Sequence, residues 1–243
     1  MNTVGLPIHC FDADKIEGAI IIRDANEGEL FTDLFGTEHR LQATDLVIAD
    51  EKKVLALAGV VWGLESGITD TTKNILVELA NFDPVVVRKT GTRLWLRTDA
   101  ELRFEKNISP AFSLYALLLF LDELKFYAKD LWNYEIEGIA SYIRPDINPL
   151  EKKLIPTPWN TLQSLIFGAE QPDFQEKASA ILEGLGFWVA GDVVSVPLWR
   201  GPDDINIKED IAEEIARIWG YDQISPQALL SEVKAQPFSE SVA

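Results

Sequence analysis

A single cysteine, Cys10, rules out an internal disulfide framework and suits a reducing cytoplasm. The opening residues lack the basic start and apolar run of a signal peptide. The longest apolar stretch, 114–121, falls far short of the roughly 20 residues that span a bilayer, so no membrane-spanning helix is expected. There is no internal repeat at a solenoid period and no low-complexity block. Basic residues are scarce, 22 against 39 acidic ones, for a net charge of −17. Such a balance excludes a general nucleic-acid coat, which needs a basic face, and leaves room for a local RNA contact.

The remaining composition is that of a folded protein. The 243 residues are 47% apolar, 25% charged and 10% aromatic, enough for a core in one large domain or two smaller ones. The first half reads mostly as strands: 19–23, then a hairpin of 45–49 and 54–58 around a polar turn, then 85–87 and 94–96. Ser109-Pro110 signals a helix start, and Leu114, Leu117, Leu121 and Leu124 carry helical spacing to about residue 129. Prolines crowd 145–158, and the domain boundary is placed there. The expected division is 1–147, 148–224 and a polar tail, 225–243. The second part reads helix, helix, strand pair, helix. Asp173 with Glu176, and Asn206 with Glu209, look like capping boxes. Gly186 and Gly220 look like helix stops, and Ile207, Ile211, Ile215 and Ile218 like a buried stripe. Periodicity alone supports a two-part α+β protein.

Particular stretches carry more. Leu6-Pro7-Ile8-His9-Cys10-Phe11-Asp12-Ala13-Asp14-Lys15-Ile16, Ala58-Gly59 to Glu65-Ser66-Gly67, Asn74-Ile75-Leu76-Val77-Glu78-Leu79-Ala80-Asn81-Phe82-Asp83-Pro84 and Leu96-Arg97-Thr98-Asp99-Ala100 resemble the editing domain of bacterial phenylalanine–tRNA ligase β-subunits. Glu183-Gly184-Leu185-Gly186-Phe187 and Ile211-Ala212-Glu213-Glu214-Ile215-Ala216-Arg217-Ile218-Trp219-Gly220-Tyr221-Asp222 resemble the small winged-helix-like domain that follows it. The resemblance implies a mixed-sheet α+β editing domain, a winged-helix-like domain, and a segment of a subunit several times longer. The early RNA-binding modules, the first strands of the editing domain and any synthetic active site would lie outside the chain.

An apolar pocket rejects an isostere bearing one added hydroxyl only weakly, so tyrosine mistaken for phenylalanine must be removed at a second, hydrolytic site. By resemblance, Glu78 accepts the phenolic proton there, Thr98 and Ala100 line the pocket beside Gly63, and His9 sits near the ester. Read alone, Glu78 is a strand acid, His9 a packed histidine and Thr98 a strand residue. His9 and Cys10 do not form a catalytic pair, since neighbours in a strand point to opposite faces. Two tryptophans depart from the family: Trp62 and Trp95 stand where it has glycine. Trp62 is expected to fill space meant for tyrosine and to impair editing. The resemblance further implies a magnesium site on Asp204, Asp210, Glu213 and Glu214, shared with the synthetase α-subunit. Read alone, acids in a helix's first turn answer its dipole, and Glu213 can pair with Arg217. Gly201-Pro202 also lengthens the approach to Asp204 beyond the usual family spacing. The implied partners are the α-subunit and the 3′ end of phenylalanine tRNA, in the cytoplasm. The acidic last helix argues against DNA in a major groove. The readings left open are a synthetase segment, a free-standing hydrolase of mischarged tRNA and an assembly module.

Overall fold

The computed structural model describes residues 5–128, 135–144 and 148–225. The fold is α+β, in two compact units. The first comprises 1–155 with 195–206, the second 156–194 with 207–243. The chain thus divides at 155/156 and sends 195–206 back to the first unit. The expected 147/148 boundary abuts residues that lie outside the described ones, as does nearly all of the 225–243 tail.

In the first unit, β2 (Ile21–Asp24), β5 (Leu46–Ala49), β6 (Val54–Leu57) and β7 (Val61–Trp62) form a sheet in that order. The pair β1 (His9–Asp12) and β8 (Ile75–Glu78) forms a second sheet, and β3 (Leu30–Thr32) with β4 (Glu38–Arg40) a third. The pairings are antiparallel. The expected hairpin is β5 and β6. Its turn is tied by Asp50, whose carboxylate accepts the amides of Lys52 and Lys53 at 2.8 Å each and of Glu17 at 3.0 Å. Phe11, Val47, Leu55, Leu57, Phe82 and Phe104 belong to the core between these strands and the helices α1 (Pro84–Leu94), α2 (Asp99–Phe104) and α3 (Phe112–Ala128).

Two expected strands, 85–87 and 94–96, are instead the body and the end of α1. Asp83 caps the helix by accepting from the amides of Val85 and Val86, and Pro84 fills the first turn. Cap and proline together outweigh the β-branched preference of three valines. At the other end Trp95 takes a left-handed conformation, φ 56° and ψ 33°. The Trp95 amide donates to Thr92 O, 3.3 Å, and the Leu96 amide to Gly91 O, 2.9 Å. This is a Schellman ending, in which the left-handed position is usually glycine. The structural reason for a glycine at this position is therefore a helix stop.

The second unit contains α4 (Trp159–Phe167), α5 (Phe174–Gly184) and α6 (Lys208–Trp219); the division of the chain falls within the strands of a further sheet, ordered β10 (Trp188–Ala190), β11 (Val193–Ser195), β9 (Leu154–Pro156). Leu162, Ala178, Leu182, Ile211 and Ile215 are fully buried. Neither capping box forms as expected. Asp173 is left-handed, φ 56°, and no first-turn amide reaches its carboxylate. At α6 the cap shifts by one residue: Asp210 accepts the Ile207 amide at 3.0 Å, while the Asn206 side chain accepts from Lys153. Of the expected stripe only Ile211 and Ile215 are buried. Ile207 precedes the helix, and Ile218 is half-exposed in the last turn, where Trp219 packs on Phe167.

Candidate functional site

The site is built on β1 and β8. Their register sets His9 directly opposite Glu78 and Cys10 opposite Val77, so His9 and Cys10 face opposite ways. Burial pushes the Cys10 thiol up from its ordinary value, away from the reactive thiolate. His9 is nearly buried, its ring 3.8 Å from that of Phe11. Its Nδ1 stands 3.5 Å from Glu78 Oε2, too far for a hydrogen bond. Both atoms are buried and neither has a hydrogen-bond partner. Buried polar atoms are ordinarily satisfied; these two stand within ion-pair distance of each other and make no hydrogen bond. The other histidine is structural: His39 Nε2 lies 2.8 Å from Asp33 Oδ2 in the core.

Trp62, from β7, stacks on His9 with ring centroids 4.4 Å apart and planes 11° from parallel. Beneath the indole is a cavity of about 20 Å³, with His9, Trp62, Glu78, Ala100, Gly59 and Phe82 in its wall. That volume holds about one water molecule and no aromatic ring. Gly59 has no room for a side chain: a Cβ there would meet Phe82 and Val87 at 2.9 Å each.

The structure therefore brings His9, Trp62, Glu78 and Ala100 together, and leaves Gly63 and Thr98 outside the cavity wall. Thr98 caps α2, accepting the Glu101 amide at 3.1 Å and donating its hydroxyl to Val60 O. Gly63 sits where the chain presses on β6, and a Cβ there would lie 2.5 Å from Leu55 O. Gly59 and Phe82, which lie in the stretches that carry the resemblance, and Phe104, also in the wall, had not been assigned to the pocket. Their apolar character signals only core, and the backbone brings them to the site.

Three of the acids expected to hold magnesium make contacts within the chain. Asp204, in the first unit, pairs with Arg200. Along α6, Asp210 makes the cap, Glu214 pairs with Arg217 at 2.7 Å, and Glu213 is exposed. Among the described residues no group of three or more histidine, cysteine or carboxylate side chains is placed to hold a metal ion. A wider cleft in the first unit, about 470 Å³ and walled in part by Phe112, Trp199 and Asp203, gathers less chemistry. Asp203 there accepts from the Asn107 side-chain Nδ2.

A family model described as the B3/4 domain matches residues 1–129, more than half of the chain. The chain belongs to the B3/4 domain family. Behind its B3/4 domain, a model described as the tRNA synthetase B5 domain matches 164–221. Over 99% of its length the chain is 37% identical to the phenylalanine–tRNA ligase β subunit of Solibacter usitatus, covering 31% of that protein. It is 34% identical to the Bacteroides fragilis β subunit over 96% of the chain and 28% of that protein. With the Pectobacterium atrosepticum β subunit the identity is 36%, over 91% and 27%. The chain thus spans under a third of the length of these relatives. The crystal structure of an N-terminal fragment of the Pyrococcus horikoshii phenylalanyl-tRNA synthetase β-subunit matches at 18% identity and TM-score 0.43, over 86% of this chain and 58% of that one. All the cavity-lining residues lie within the stretch matched as B3/4. Among the described residues no helix is long and apolar enough to cross a membrane.

Proposed function

We propose that this chain is the editing region of a phenylalanine–tRNA ligase β subunit, and that Trp62 holds its hydrolytic site shut. The observation that carries the reading is the pair of orphaned polar atoms, His9 Nδ1 and Glu78 Oε2, facing each other under a stacked indole. With the indole displaced, a tyrosyl side chain has an acceptor for its phenolic proton in Glu78, and a phenylalanyl side chain has no donor to offer it. A water between the imidazole and the ester carbonyl supplies the attacking oxygen, so no enzyme nucleophile is required. The partners are then the 3′ end of phenylalanine tRNA and the synthetase α-subunit, in the cytoplasm. Magnesium enters no step. The α6 carboxylates do not form a cation site by themselves and would need donors from the α-subunit.

A second reading is favoured by the same indole. A cavity with room for one water serves a module kept for assembly rather than hydrolysis. Deacylation of tyrosine-charged phenylalanine tRNA separates the two. The shut-site reading expects no turnover from the intact chain and turnover from Trp62→Gly. A correctly folded Trp62→Gly that leaves the ester intact supports the assembly module.

A further inference from the structure

Helix α1 ends on a residue that is strained and in the open. Trp95 is left-handed, at φ 56°, and 92% exposed. The other two left-handed non-glycine residues described, Asn107 and Asp173, are of types that adopt this region readily. An indole there carries backbone strain with almost no packing in return, and strain of this kind collects at binding and functional sites.

The face below the indole is cationic. Positions 88, 92 and 95 follow helical spacing, Lys89 lies about 100° round the helix from Arg88, and Arg88, Lys89, Thr92 and Trp95 are all exposed. Local charge runs against the rest of the molecule. Residues 88–106 hold six basic and three acidic side chains in a chain of net charge −17. Arg93 and Arg97 are engaged, the first with Asp45 and the second with Glu101 and Glu105. Arg88, whose charge also acts on Glu101, is the cation on the indole's side of the helix, and Lys89 is the next residue round.

An open indole about two helical turns, roughly 10 Å, from two cations suits an anionic polymer with free planar rings. Phosphates answer the cations and an unpaired base stacks on the ring. A duplex hides its base faces. A protein partner would more often meet an aromatic anchor within an apolar core depleted of charge. We propose that Arg88, Lys89, Thr92 and Trp95 form a stacking platform for single-stranded RNA. The proposal is independent of hydrolysis at His9 and Glu78.

The test is fluorescence anisotropy of a labelled, unstructured oligoribonucleotide of about 12 residues, titrated with the full chain at about 50 mM salt. The intact chain binds, Trp95→Gly weakens binding roughly tenfold or more, and Trp95→Phe keeps most of the affinity. Reversing charge with Arg88→Glu and Lys89→Glu weakens binding and flattens its salt dependence. Circular dichroism confirms that each variant is folded. Absence of binding by the intact chain overturns the proposal. So does a Trp95→Gly affinity equal to that of the intact chain, or a duplex that binds with the same dependence on Trp95.

Discussion

Replacing Trp95 by glycine should stabilise the first unit. Holding an L-residue in the left-handed region costs about 1–2 kcal/mol. Glycine removes that cost but loses more backbone entropy on folding, about 0.5–1 kcal/mol. Trp95 is 92% exposed, so little packing is lost with the indole. At the middle of both ranges the balance is a gain of about 0.75 kcal/mol, and the Schellman hydrogen bonds of Trp95 and Leu96 are kept because they are made by the backbone. At about 2–4 °C per kcal/mol for a chain of this size, the melting midpoint rises by roughly 1–4 °C. Two compact units can melt separately, so calorimetry should show the shift in one transition and leave the other in place. Trp95→Asn should move the same transition the same way by less, since asparagine tolerates φ > 0 better than tryptophan. An unchanged or lowered midpoint in Trp95→Gly would refute the strain argument, and would mean that the indole makes stabilising contacts in solution.

Two more substitutions probe the first unit. Gly63→Ala puts a methyl 2.5 Å from Leu55 O, where backbone must shift; urea unfolding should show a loss of about 1–3 kcal/mol, and an unchanged midpoint would contradict the close approach. Glu101 is fully buried, and burial raises its carboxyl pKa despite the nearby Arg97 guanidinium. A raised folded pKa contributes stability below the unfolded value and loses it as pH rises through the folded one. Glu101→Gln should therefore stabilise the unit at neutral pH, with the gain shrinking under acid conditions, as read from midpoints across pH. A gain of equal size at both ends would place the effect outside ionisation.

Legibility of the fold followed how local its causes are. The β5–β6 hairpin could be read because apolar runs flank a polar turn that Asp50 ties with its own carboxylate. Helix α1 could not be read from its three valines, because Asp83 and Pro84 immediately before them decide the backbone. The Ile207 cap depended on a single residue of register, which periodicity does not fix. At the site, resemblance singled out His9, Glu78, Trp62 and Ala100, and the β1–β8 register brings the first two face to face. The stacking of Trp62 on His9 depends on where β7 leaves its indole relative to β1, a tertiary fact with no sequence signature. Thr98 and Gly63 illustrate the reverse case: cap geometry and close backbone approach account for both without a ligand. The same reasoning separates the two departures from glycine, since Trp62 stands over the cavity and Trp95 at a helix stop.

The central claim is that Glu78 reads a phenolic hydroxyl once the indole is removed. It is tested most directly by comparing deacylation of tyrosine- and phenylalanine-charged tRNA by Trp62→Gly and by the double variant Trp62→Gly/Glu78→Ala. Trp62→Gly should hydrolyse the tyrosyl ester well ahead of the phenylalanyl one. Removing Glu78 should erase the preference, by roughly tenfold or more for loss of a charge-assisted hydrogen bond worth about 1.5–3 kcal/mol. A preference for tyrosine that survives without Glu78 would contradict the claim.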